Sequence, residues 1–117
     1  MINKHFLEEP NLVDLSKEIY KAVVQDKLEI NTRFNLLSDD IYDAETINFI
    51  LADGLGYENL NSTDSYLNQN VTKSINTTFP SSTNVALSSI AFMRNPIEHG
   101  LIGYYICLLY TSDAADD

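Results

Sequence analysis

Thr46-Ile-Asn-Phe-Ile-Leu-Ala52, followed by Asp53-Gly-Leu-Gly56, is the stretch on which the fold assignment turns. Its first seven residues are almost continuously apolar and end between Glu45 and Asp53. A run of that length without alternation is the pattern of a strand buried on both faces, as in a parallel sheet. Gly54 and Gly56 give the chain the backbone freedom that a sharp strand exit needs.

Upstream, Asn11 or Asp14 is placed to cap a helix running to about Gln25, with Leu12, Leu15, Ile19 and Val23 on its apolar face. Asn31 to Asp43 is polar and turn-rich. Its acids Asp39, Asp40 and Asp43 read as a solvated loop rather than a metal site. Downstream, Tyr57 to Asn68 reads as partly helical, anchored by Leu60 and Leu67. Val71 to Phe79 reads as a second strand, ended by Pro80, which has no N–H for a ladder. Thr83 to Arg94 reads as a helix burying Val85, Leu87, Ile90, Ala91 and Met93. Pro96 and Gly100 close a loop, and Leu101 to Ile106 opens a third strand. Helix and strand alternate throughout, which predicts an α/β fold: a three-layer α/β/α arrangement with a mainly parallel sheet, truncated after about three strands.

Three regions follow: residues 1–45 as an N-terminal helix and polar loop, 46–106 as the start of a catalytic domain, and 107–117 as a foreign tail. The tail, Cys107-Leu-Leu-Tyr-Thr-Ser-Asp-Ala-Ala-Asp-Asp117, resembles the in-frame translation of a transposon-end adapter used in sequencing libraries. It holds the single cysteine, so no internal disulfide is expected. Taking its three acids off the formal charge of −10 leaves −7. That acidic balance argues against a surface that coats nucleic acid, which needs clustered Lys and Arg. No apolar run approaches the roughly 20 residues that span a bilayer, and the acidic stretch through Glu8 and Glu9 is unlike a secretory leader. The expectation is a cytoplasmic protein.

In α/β proteins, sites form at the carboxyl ends of strands. Asp53 ends one expected strand, and Pro80-Ser81-Ser82-Thr83 ends the next and opens a helix. Each residue has a plain explanation: Asp53 can cap the turn at Gly54, and Thr83 can cap the helix. Taken together they allow chemistry. Free N–H groups at a helix start bind a phosphate anion. A Thr hydroxyl there attacks phosphorus only if a cation lowers its pKa, and a nearby carboxylate would hold that cation. The two lie thirty positions apart, one strand–helix–strand step.

At this point Ile47 to Gly56, Phe79-Pro80-Ser81-Ser82-Thr83 and Pro96-Ile-Glu98-His99-Gly100-Leu-Ile-Gly103-Tyr104 resemble the opening motifs of type I phosphodiesterases and nucleotide pyrophosphatases of the alkaline phosphatase superfamily. The resemblance covers residues 46–106. It implies metal-dependent hydrolysis of phosphate esters at a site of two divalent ions, zinc or else manganese. Asp53 would be a metal ligand, Thr83 the nucleophile and a further ligand, and the Asn84 N–H a phosphate donor. Gly54, Gly56, Pro80, His99 and Gly100 would be structural motif residues, since the family's metal histidines come from later segments. The partner implied is a small phosphate ester, neither a nucleic-acid polymer nor a membrane. Two departures stand out. Tyr104 occupies a position where many nucleotide pyrophosphatases carry a phosphate-binding asparagine, and Phe92-Met93 replaces a frequent Thr-Gly. The remaining Asp and His ligands are expected beyond Ile106, so this chain alone is expected to be inactive. The competing possibility is a phosphate- or nucleotide-binding α/β module without chemistry.

Overall fold

The computed structural model describes residues 8–25 and 27–104. Its principal element is α1, Leu12–Val24. Of the two candidate caps, Asn11 is the one used. Its Oδ1 accepts from the N–H groups of Val13 (2.8 Å) and Asp14 (3.2 Å), and Asp14 Oδ2 accepts the Asn11 N–H in return (3.0 Å). This reciprocal box satisfies N–H groups that a helix start leaves unpaired. Gln25 ends the helix in the left-handed region at φ 48°, its N–H bonded to the Lys21 carbonyl.

The face of α1 that is buried differs from the expected one. Val13, Asp14, Ser16, Glu18 and Ala22 are buried, whereas Leu12, Leu15 and Ile19 are half-buried and Val23 is 59% exposed. The cause is the polar chain that follows. Arg33 forks onto Asp14 (Nε to Oδ1 2.9 Å, Nη2 to Oδ2 2.8 Å), and Glu18 Oε1 accepts from the N–H groups of Leu36 (2.7 Å) and Leu37 (3.3 Å). The hydrogen bond and charge of Asp14 hold the Arg33 guanidinium above its ordinary pKa. Periodicity locates apolar residues but carries no information about hydrogen bonds that draw a polar stripe inward.

Short helices complete the described chain: α2 (Asp39–Tyr42), α3 (Tyr57–Asn61), α4 (Tyr66–Gln69), α5 (Thr83–Phe92) and α6 (Pro96–His99). α5 and α2 pack on α1, α6 packs on α5, and α3 on α4. The acids expected in a loop, Asp39 and Asp40, instead start α2, and both are exposed. The expected core anchors Leu60 and Leu67 part company, Leu60 half-buried and Leu67 exposed. In α5 only Val85 and Ser89 are buried, while the expected core residues Leu87 and Ala91 are exposed and Ile90 and Met93 half-buried. The expected loop at Pro96 to Gly100 is a single helical turn.

The three-layer α/β/α arrangement with a mainly parallel sheet is not formed by the described residues, which contain no sheet. Their β contact is an isolated parallel bridge between Asn11 and Asn76, made by Leu12 N–H to Asn76 O (3.0 Å) and Asn76 N–H to Pro10 O (2.9 Å). Residues 46–52 have no regular secondary structure and are not buried: Ile50 is 87% exposed. Residues 71–79 contribute only the bridge at Asn76, and residues 101–104 are irregular, while the rest of the expected third strand lies outside the described residues. The foreign-tail assignment for 107–117 also lies outside them. The physical reason for the correction is that a strand requires a partner. An apolar run fixes what a segment prefers to bury, not whether another segment offers N–H and C=O groups in register.

The buried apolar residues among those described are Val13, Ala22, Val85 and Pro96, and the buried polar residues are Asn11, Asp14, Ser16, Glu18, Thr78 and Ser89. Hydrogen bonds therefore organise this centre as much as apolar contact does. The radius of gyration, 17.3 Å, exceeds the roughly 13 Å of a compact 100-residue domain, in keeping with so few buried side chains. No helix among the described residues is long and apolar enough to cross a membrane.

Candidate functional site

Gly54 takes φ 75°, the left-handed conformation that lets the chain double back immediately after Asp53. Gly56 is different: it sits at φ −82° as the N-cap of α3. Further along, the Phe79–Pro80 peptide is cis, Pro80 is half-buried, and Thr78 donates its hydroxyl to the Pro80 carbonyl (3.1 Å). Ser82 then caps α5 through its backbone alone, with its buried Oγ unpartnered. The first helical hydrogen bond of α5 runs from Ala86 N–H to Ser82 C=O (3.0 Å). The N–H groups of Thr83, Asn84 and Val85 thus precede the ladder at the positive end of the helix dipole.

Thr83 is the first residue of α5, and its side chain turns toward Asp53. The hydroxyl donates to Asp53 Oδ2 at 3.3 Å and stands 3.5 Å from Oδ1, so one proton is shared loosely between both carboxylate oxygens. The two residues named from the sequence are therefore brought together. A turn laid against a helix start joins them, not neighbouring strand tips. Asp53 is exposed and Thr83 half-buried, so the pair opens to solvent on one side. Asn84 follows as the second residue of α5, half-buried.

A carboxylate by itself is too weak a base to ionise an alcohol, so the pair needs a third charge to become reactive. Two oxygen ligands of a tetrahedral ion, each about 2.0–2.2 Å from the metal, stand roughly 3.3–3.6 Å apart. The 3.3 Å between Thr83 Oγ1 and Asp53 Oδ2 falls in that range. The donor set is nonetheless incomplete. Among the described residues no three His, Cys, Asp or Glu side chains group to hold an ion, and a catalytic zinc takes three protein ligands. The described residues do not make up the two-ion centre.

His99 is engaged elsewhere. Its Nδ1 accepts the Leu101 N–H (3.0 Å) and its Nε2 meets Ser89 Oγ (2.8 Å), while Ser89 donates to the Val85 carbonyl (2.8 Å). Only one proton arrangement satisfies all three contacts: Nδ1 bare, and Nε2–H donating to Ser89. A Ser–His nucleophile pair needs the reverse, a hydroxyl donating to the imidazole. Ser89 is moreover fully buried. The contact ties α6 to α5, assisted by the Phe92 ring 5.9 Å from the imidazole. Gly100, at φ 75°, ends α6. At the other end Glu98 Oε2 accepts the Asn95 N–H (2.8 Å), and that bond holds the Glu98 carboxyl below its ordinary pKa.

Sequence reasoning missed Ser89 and Glu18. Ser89 lies four residues after Val85, the spacing of one helical face, but its polarity disguised it as surface. Glu18 carried no comparable signal; its burial comes from the N–H groups of Leu36 and Leu37. No protein-family model, curated protein or solved structure matches the chain.

Proposed function

We propose that this chain carries the nucleophile of a metal-dependent phosphate-ester hydrolase, with Thr83 as the attacking alcohol and Asp53 as its partner carboxylate. The observation that supports this most directly is the approach of Thr83 Oγ1 to Asp53 Oδ2, 3.3 Å, at the amino terminus of α5. Asp53 fixes the direction of the hydroxyl and helps to hold a cation. The leading N–H groups of α5, that of Asn84 among them, receive the anionic phosphate oxygens. A bound divalent ion, zinc or manganese, would lower the pKa of the alcohol. The further ligands of a two-ion site would come from outside the described residues. The substrate would be a small phosphate ester, in a cytoplasmic setting; the net charge of −10 speaks against a nucleic-acid polymer.

The test uses the protein expressed from its full reading frame, assayed with zinc or manganese on a chromogenic phosphodiester and a chromogenic phosphomonoester. Thr83→Ala is expected to remove turnover by at least 10³-fold, and Asp53→Asn to weaken it by a similar order. Turnover unchanged in Thr83→Ala would falsify the nucleophile assignment. The second reading, a binder without chemistry, rests on the same free N–H groups. It predicts inorganic phosphate binding that survives Thr83→Ala, with neither ester cleaved.

A further inference from the structure

We draw no further inference here: the strongest candidate, the exposed apolar surface patch of Phe49, Ile50 and Leu51 on the irregular run leading into the Asp53 turn, carries nothing because nothing in the structure shows what covers it.

Discussion

Asn11 joins three parts of the described chain. Its side chain caps α1, its neighbours' backbone bridges Asn76, and its Nδ2 donates to Asn95 Oδ1 (3.3 Å). It is 1% exposed, so a substitution leaves buried N–H groups that water does not reach. Asn11→Ala is expected to cost about 2 kcal/mol, at the upper end for a cap, read as a lowered midpoint in urea unfolding. The two glycines of the Asp53 turn separate in the same way. Gly54→Ala forces a Cβ into the left-handed region at φ 75° and is expected to cost about 1 kcal/mol. Gly56 has φ −82°, a conformation open to any residue, with open space around it, so Gly56→Ala loses only the better cap of a five-residue helix and should cost less than Gly54→Ala. Equal losses from both substitutions would contradict this account of the turn.

At the scale of elements, α6 is one turn long and too short to be stable by itself. It persists because both ends are tied. Ser89→Ala takes away the acceptor of the His99 Nε2–H and is expected to cost about 1–2 kcal/mol. The loss should appear first as faster amide exchange at Leu101, whose N–H rests on His99 Nδ1. The Asn95 end depends on pH. The Asn95 N–H chiefly holds the folded Glu98 carboxyl below its ordinary pKa. Its contribution is therefore fully present above the unfolded value and is lost as pH falls through the folded one. Because the carboxyl is exposed, the effect is small and screened. Glu98→Gln should flatten the acid-side dependence of Asn95 amide exchange; an unchanged profile would mean the bond contributes nothing.

For the whole molecule, the balance of buried and exposed apolar groups decides behaviour. Val13, Ala22 and Val85 are wholly buried, while Ile50, Phe79, Ile97 and Tyr104 are among the large apolar side chains left open. Folding therefore removes little apolar surface from water. The chain should enhance the fluorescence of an apolar-surface dye such as ANS at pH 7 without denaturant. Absence of dye binding would show that these side chains are covered in solution. The net charge of −10 opposes association of this surface with a second copy, so added salt should promote self-association, visible by light scattering.

By itself the sequence determined α1 with a cap at Asn11 or Asp14, the helix opening at Thr83, and the turn residues Gly54 and Gly100, and the structure chose Asn11 as the cap. These depend on neighbours within a few positions: a cap, a 3.6-residue period, a backbone angle only glycine adopts easily. It also named Asp53 and Thr83 as a pair by placing them at the ends of neighbouring strands; the two side chains do meet, although those strands are not formed. The tertiary structure alone decided that the runs 46–52 and 71–79 form no sheet, that the polar stripe of α1 turns inward, and that Ser89 locks onto His99. Each of these depends on a partner outside the segment itself, and no local pattern encodes whether that partner arrives with its donors and acceptors in register.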